Sequence, residues 1–194
     1  MAPLRIRNNM KKKIYFFILI YFFNLNLVFA EKADFSKPTN VEANQMFYDE
    51  NKQTNTFTGN VILKRGTLIM HAEKLVVRQD EDGNQFATLY AGSGELTTFR
   101  QKRDGDSDMW IEGSAADRIE YDSKTEVAKL YKSAKIMMLE NGVVTDEIEG
   151  EMISYDSRAE FYSVTNSTSG KSKDGVGRVR AIIQPRNKKN LTDE

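Results

Sequence analysis

Few side chains in this sequence are placed to do chemistry, and the single histidine is the first to consider. His71 lies in the segment LIMHAEKL, where apolar and polar residues alternate as they do in a strand. A histidine acts as a general base only beside a nucleophile or a positioned carboxylate, and the chain has no G-x-S-x-G or P-loop motif. The pattern indicates a structural or solvent-exposed histidine rather than a catalytic one.

Metal binding has equally little support. Without cysteine, and with one histidine, the chain offers zinc one imidazole and no thiolate. The segment DGDSD at 104–108 resembles the start of an EF-hand calcium loop, but Met109 stands where that loop needs glycine, and Ala115 where it needs a bidentate glutamate. We expect a solvated turn at this point, no metal site and no cofactor.

Three aspartates could supply the paired carboxylates of a glycosidase. Asp49, Asp122 and Asp156 each follow a strand-like segment and occupy the same position of a repeated motif. Aspartate is favoured at the start of a turn because its carboxylate accepts hydrogen bonds from the turn amides. We expect a structural role for them, and a carbohydrate-active enzyme on a β scaffold is the less favoured alternative.

The elements that must position these residues are strands. Beyond Ala30 apolar residues recur with a period of two, and no segment of ten or more residues has an apolar helical face. Short turns rich in Asp, Asn and Gly separate the strands, and Asn141-Gly142 predicts a type I′ hairpin turn. The strand-like segments are QMFYD, TFTGNVILKR, GTLIMHA, KLVVRQD, ATLYAGSGELTTFRQ, MWIEGSAADRIEYD, EVAKLYKSAKIMML, EIEGEMISYD and RVRAIIQ. They predict an all-β fold.

A seven-residue motif occurs four times along these strands. Its copies are ANQMFYD at 43–49, AEKLVVR at 72–78, ADRIEYD at 116–122 and GEMISYD at 150–156. The fourth and sixth residues of each copy share one face of a strand, which we expect to point inward. A second motif follows on the return strand, in FTGNVIL, YAGSGEL and YKSAKIM. Because the copies start 29, 44 and 34 residues apart, they favour stacked hairpins with loops of varying length over a solenoid.

The N-terminal residues have the layout of an export signal. Lys11-Lys12-Lys13 precedes an apolar segment from Ile14 to Phe29, and Val28-Phe29-Ala30 fits a cleavage site. Cleavage after Ala30 would take the 28 basic residues to 23 against 28 acidic ones, a net charge of −5. This acidity argues against nucleic acid as a partner. The pattern predicts an exported, periplasmic protein, and an uncleaved membrane anchor is the alternative.

The sequence pattern predicts four parts of the chain. Residues 1–30 are the expected signal peptide, 31–37 a flexible N-terminus, 38–185 one β domain and 186–194 a disordered tail. Within the domain, the polar segment 165–177 has no apolar residue between Val164 and Val176. We expect it to form a flexible loop before the last strand.

Taken in order, these motifs resemble the OstA-like family. The likeness covers residues 38–185 and rests on the repeat A-[ND]-x-[IM]-x-Y-D, on FTGNVIL…GTLIMHAEKL and on GRVRAIIQP at 177–185. It implies an open, V-shaped antiparallel β-jellyroll with an apolar groove between its two sheets. It also implies a non-enzymatic function in Gram-negative bacteria, which is to carry lipopolysaccharide, held by its lipid A moiety, from the inner-membrane export complex to the outer-membrane translocon.

The resemblance further implies partners and site residues. The partners are an inner-membrane LptC-like component, the N-terminal domain of an outer-membrane LptD-like translocon, and copies of this chain joined head to tail; a membrane-anchored LptC-like protein is itself the alternative identity. The expected joining edges are Val41, Arg178, Val179, Arg180, Ile182 and Ile183. The expected lipid contacts are the inward residues Met46, Tyr48, Phe57, Val61, Leu63, Leu75, Val77, Ile119, Tyr121, Ile136, Met138, Ile153 and Tyr155.

Overall fold

A computed structural model describes residue 34 and residues 36–104 and 108–185 of the chain. The expected signal peptide, residues 1–30, and the expected tail, 186–194, lie outside the described residues, as does most of the 104–108 turn. The described part forms twelve antiparallel strands, which confirms the all-β prediction. No helix in these ranges is long and apolar enough to cross a membrane.

The strands follow one another with short connections. They are β1 (Asn40–Glu42), β2 (Gln45–Asp49), β3 (Thr54–Arg65), β4 (Leu68–Gln79), β5 (Gln85–Tyr90), β6 (Thr97–Lys102), β7 (Met109–Ala115), β8 (Arg118–Asp122), β9 (Val127–Glu140), β10 (Val143–Asp156), β11 (Phe161–Thr165) and β12 (Arg180–Ile183).

Four long strands, β3, β4, β9 and β10, run through both halves of the structure, and each shorter strand pairs with one half. The lower sheet has the order β2-β3-β4-β5-β8-β9-β10-β11. The upper sheet has the order β1-β3-β4-β6-β7-β9-β10-β12. The jellyroll is therefore two eight-stranded sheets that share their four longest strands.

The long strands bend where they pass from one sheet to the other. In β3, Gly59 and Asn60 have φ values of 82° and 46°, and the pairing with β4 shifts register beside them. In β9, Lys132 and Ser133 have φ values of 69° and 47°, opposite a register shift in β10. Such bulges bend a strand sharply. The bends form the closed spine of the V, and the hairpin turns of both sheets lie at its mouth.

The repeated motif sets the register of the lower sheet. Directly opposed residues share a face, and the fourth residues of the motif join their partners in one apolar row: Met46, Phe57, Leu75, Leu89, Ile119, Leu130, Ile153 and Val164. The sixth residues form the next row: Tyr48, Asn55, Val77, Ala87, Tyr121, Ala128, Tyr155 and Tyr162. The five central members of the first row have no exposed surface.

A matching row crosses the upper sheet and faces the lower one. It consists of Val41, Leu63, Met70, Phe99, Gly113, Ile136, Ile148 and Ala181. At Gly113 the ring of Phe99 occupies the space that a Cβ would need. Glycine is required there because the aromatic ring packs directly on the backbone.

Two predictions about turns are confirmed. Asn141 and Gly142 have φ values of 53° and 77°, as a type I′ turn requires. The carboxylates of Asp49, Asp122 and Asp156 accept hydrogen bonds from turn amides, at 3.1 Å, 2.8 Å and 3.0 Å respectively. The aspartates therefore stabilise the turns of the repeat.

Several strand predictions were wrong at the spine. The segment ATLYAGSGELTTFRQ divides into β5 in the lower sheet and β6 in the upper one, and MWIEGSAADRIEYD divides in the same way into β7 and β8. In contrast, GTLIMHA and KLVVRQD form the single strand β4, and β11 was not predicted. Alternation of apolar and polar residues continues across a bend, so the pattern alone does not show where a chain changes sheets.

Candidate functional site

An apolar cleft opens between the two sheets near β1 and β3. Its volume is about 220 Å³. The upper wall consists of Val41, Leu63, Leu68 and Met70, and the lower wall of Phe57, Val77 and Ala87. Polar groups of Arg65, Tyr121, Asn55 and Gln85 lie around it. Such a cleft binds apolar groups and leaves attached polar ones at its margin.

Farther along, the two sheets pack closely together. Between Met70 and Phe99 of the upper sheet and Tyr155 of the lower one, about 30 Å³ remains. This is room for no more than a few water molecules. An occupant as long as an acyl chain therefore requires the sheets to separate here.

Among the described residues, polar contacts of Arg65 and Arg103 span the mouth of the V. Arg65, at the end of β3, donates a hydrogen bond of 3.4 Å to the hydroxyl of Tyr121 and lies 5.7 Å from the centre of its ring. Burial raises the pKa of the Tyr121 hydroxyl, so the group stays neutral. Arg103, just past β6, donates to Glu160 of the β10–β11 turn at 2.7 Å. Both contacts join the upper sheet to the lower one.

A buried carboxylate lies beside these contacts. Asp34 is 2% exposed and accepts hydrogen bonds from the amide and hydroxyl of Thr67, at 2.8 Å and 2.6 Å. Gln101, which is also buried, donates to it at 3.2 Å. Because a buried charge is costly unless it is hydrogen-bonded, this network fixes Asp34 against the β3–β4 turn.

Most of the residues predicted as lipid contacts do face the interior. Seven are buried: Val61, Leu63, Leu75, Ile119, Ile136, Ile153 and Tyr155. Phe57, Val77, Tyr121 and Met138 are partly buried. Of these eleven, Phe57, Leu63, Val77 and Tyr121 line the open cleft. The others lie where the two sheets are in contact, outside the cleft.

The first copy of the motif, residues 43–49, is more exposed than expected. Met46 and Tyr48 lie in the same rows as Phe57 and Asn55, but their side chains are 55% and 54% exposed. The prediction that they lie inside was wrong because β2 is the edge strand of the lower sheet and packs mainly on β3. They mark the open end of the groove rather than its wall.

The polar residues at the mouth were not predicted from the sequence. Arg65 continues the inward face of Val61 and Leu63, and Arg103 continues that of Phe99 and Gln101, each two residues farther along. Counting on by two from the apolar residues would have found both arginines. The period-two pattern did not indicate them because a charged residue ends the apolar alternation by which inward positions are recognised.

The terminal strands form the edges of both sheets. The upper sheet ends in β1 and β12, and the lower one in β2 and β11. Val41 lies in β1, but its side chain lines the cleft, whereas Arg180, Ile182 and Ile183 lie in β12. Arg178 and Val179 precede β12, which corrects their assignment to the edge strand.

The outer faces of the sheets carry ion pairs such as Arg100 with Glu112 and Lys135 with Glu147, beside apolar side chains such as the exposed Phe47. His71 is exposed there, and its carbonyl accepts a hydrogen bond of 2.9 Å from Thr97. No group of three or more His, Asp or Glu side chains in the described ranges is arranged to hold a metal ion. The described surface thus contrasts with the apolar space between the sheets.

The fold and the cleft together define a class, an open β-jellyroll with an apolar interior and edge strands at both ends. Residues 40–161 match the family described as LptA/(LptD N-terminal domain) LPS transport protein. The chain belongs to this family.

Similar proteins of known name agree with this assignment. The chain is 26% identical over 157 residues to the lipopolysaccharide export system protein LptA of Haemophilus influenzae, covering 81% of this chain and 83% of that protein. It is 30% identical over 120 residues to LptA of Escherichia coli K12, covering 62% and 63% of the two chains. The crystal structure of LptH, the LptA homologous periplasmic component from Pseudomonas aeruginosa, superposes with a TM-score of 0.65 at 21% identity. That match covers 78% of this chain and 99% of LptH, and it confirms the β-jellyroll.

Proposed function

We propose that this chain is a periplasmic protein that binds lipopolysaccharide between its two sheets and carries it from an inner-membrane export complex to an outer-membrane translocon. The observation that carries the proposal is the apolar cleft beside Phe57, which continues into the apolar rows of both sheets. Membership of an LPS transport family supports it.

The energetics of lipid transfer give such a groove a purpose. Moving an acyl chain from an apolar environment into water costs about 0.8 kcal/mol per methylene, or about 10 kcal/mol for a chain of ~12 carbons. A continuous apolar wall offsets this cost. Because hydrophobic contacts are non-directional, the lipid can slide along the wall without breaking specific bonds.

Loading requires the mouth to open. The two sheets are continuous through the bends of the long strands, whereas at the mouth they are joined by Arg65 with Tyr121 and by Arg103 with Glu160. Separation of these pairs would widen the groove and leave the spine intact. The proposed function consists of binding and releasing lipopolysaccharide, so we propose that the chain is not an enzyme.

A bridge across the periplasm follows from the sheet edges. Both sheets end in strands with unpaired backbone groups, at β1 and β2 on one side and at β11 and β12 on the other. Pairing of one side with the opposite side of a second copy is heterologous and does not close, so it extends head to tail. We propose that the same edges join an LptC-like protein at one end and the N-terminal domain of an LptD-like protein at the other.

Site-specific photocrosslinking in cells tests the lipid-binding function. A benzophenone amino acid at Phe57 or Tyr121 lies at the cleft, whereas the same group at the neighbouring Thr56 or Glu120 lies on the outer face. We expect lipopolysaccharide adducts from the two cleft positions only. Equal adducts from all four positions would contradict the proposal.

A further inference from the structure

We propose that Arg103 and Arg65 form a phosphate-binding rim at the mouth of the groove, which takes phosphate groups of the lipid headgroup while the acyl chains lie inside. The inference rests on the proposed function and deepens it, because it adds recognition of the headgroup to a groove that otherwise binds only apolar chains.

Their position in the strands places both arginines where a headgroup would be. Arg65 is the last inward-facing residue of β3 after Val61 and Leu63, and Arg103 follows Phe99 and Gln101 in the same way. The backbones of β3 and β6 are separated by β4, hence by about 10 Å, or two strand spacings. Each guanidinium can therefore meet a phosphate of its own above an apolar interior.

The protein groups around Arg103 do not satisfy all of its hydrogen-bond donors. Its side chain is 16% exposed, and Nη2 donates to Glu160. Nη1 has the sulfur of Met138 at 3.8 Å, which is a weak acceptor. Within the described ranges Nε is buried and makes no hydrogen bond. Phosphate oxygens can bind a guanidinium in a bidentate manner that satisfies such donors.

Arg65 makes the second contact of the rim. Its hydrogen bond to the Tyr121 hydroxyl is 3.4 Å long, and that hydroxyl is neutral at physiological pH, as a tyrosine ordinarily is. An anionic oxygen binds a guanidinium more strongly than a neutral phenol does. A phosphate can thus compete with the Tyr121 hydroxyl for Arg65, as it competes with Glu160 for Arg103.

If phosphate replaced Glu160 and Tyr121 as the partners of the two arginines, binding of the headgroup would be coupled to opening of the groove. Glu160 and Tyr121 belong to the lower sheet, and both arginines to the upper one. When phosphate takes the arginines, the two contacts across the mouth are broken together. The headgroup thereby releases the sheets that its own acyl chains must separate.

The test compares purified protein binding to bisphosphorylated lipid A and to the same lipid A stripped of phosphate. We expect the unmodified protein to prefer the phosphorylated lipid, and Arg103→Gln to weaken that binding about tenfold, the usual effect of losing a charge-assisted hydrogen bond. Binding of the stripped lipid is not weakened, because it does not use the rim and the substitution also removes a contact that closes the mouth; this result shows in addition that the variant is folded. Arg65→Gln behaves in the same direction.

Glu160→Gln separates a phosphate site from a simple structural clasp. If Glu160 competes with phosphate for Arg103, the variant binds phosphorylated lipid A more tightly. If the pair only holds the fold, Glu160→Gln weakens binding as Arg103→Gln does, and the inference is overturned. The matched control is Arg100→Gln, which removes a charge from the outer face of β6, the strand that leads to Arg103, where Arg100 pairs with Glu112. It leaves both affinities unchanged.

The remaining outcomes distinguish the rim from the groove. Tight binding of both lipids without regard to phosphate would overturn the rim and leave the proposed function standing. Failure of the unmodified protein to bind either lipid would overturn the proposed function itself.

Discussion

The guanidinium of Arg65 in the upper sheet and the hydroxyl of Tyr121 in the lower sheet are joined by a hydrogen bond of 3.4 Å across the mouth of the V. Tyr121 is the sixth residue of the third motif copy, so the repeat that sets the register of the lower sheet also supplies the contact that closes it. The same side chain therefore takes part in the register of the lower sheet and in the contact between the two sheets.

Tyr121→Phe should loosen the mouth without disturbing the apolar row. The ring is retained and one hydrogen bond is lost, so we expect the free energy of unfolding to fall by about 0.5–1.5 kcal/mol. Hydrogen exchange of the β3–β4 turn amides should become faster. Urea denaturation and exchange mass spectrometry measure the two effects, and unchanged exchange would contradict a closing role for this contact.

The raised pKa of Tyr121 predicts that the protein loses stability at alkaline pH. Burial raises the pKa of Tyr121 above its usual value of about 10, so its contribution to stability is complete below that value. Above pH 10 the unfolded chain ionises first, and the contribution falls as pH rises towards the folded pKa. We therefore expect the unmodified protein to lose more stability than Tyr121→Phe between neutral and strongly alkaline pH, as measured by denaturation at each pH.

Ile119→Ala should be strongly destabilising. Ile119 has no exposed surface and lies in the centre of the apolar row, between Leu89 and Leu130. Truncation leaves a cavity, and we expect a loss of about 2–5 kcal/mol in the free energy of unfolding. Lys129→Ala, exposed on the neighbouring strand, is the control and should change it by less than about 0.5 kcal/mol.

Gly113→Ala tests the packing of the upper sheet. A Cβ at this position would overlap the ring of Phe99, so that ring or the backbone must move. We expect a loss of about 1–3 kcal/mol, the usual cost of overpacking. Gly177→Ala is the control, because nothing lies within 4 Å of its Cβ position and its φ is not positive. Equal effects of the two substitutions in thermal unfolding would contradict the packing role.

Truncation before Arg178 should abolish head-to-tail assembly. It removes β12, which forms the end of the upper sheet by pairing with β10. Sedimentation over a range of concentrations should show growing oligomers of the full chain and monomers of the truncated one. Removal of residues 186–194 alone, which leaves β12 in place, should not affect assembly.

Local features of the fold could be predicted from the sequence because they depend on neighbouring residues. The type I′ turn at Asn141-Gly142 follows from two residues that tolerate positive φ, and the inward direction of Ile119 and Ile153 follows from a period of two. Resemblance to a family supplied the jellyroll and the groove, which no local pattern contains.

The candidate site was predicted in part. Phe57 and Val77 were correctly placed on the inside, but Met46 and Tyr48 were wrongly placed there, since a strand pattern shows which face a residue is on and not whether a second sheet covers that face. Arg65 and Arg103 were missed for the related reason that a charged residue at an inward position looks like the end of the pattern.

By itself, then, the sequence determined the all-β class, several of the turns and the face on which the strand residues lie, because these are set within a few residues. Only the tertiary structure decided where the long strands bend from one sheet to the other, which strands form the edges and which residues meet across the mouth. Arg65 with Tyr121 and Arg103 with Glu160 are 56 and 57 residues apart in the chain. Contacts over such separations depend on how the two sheets close on each other, which no local pattern encodes.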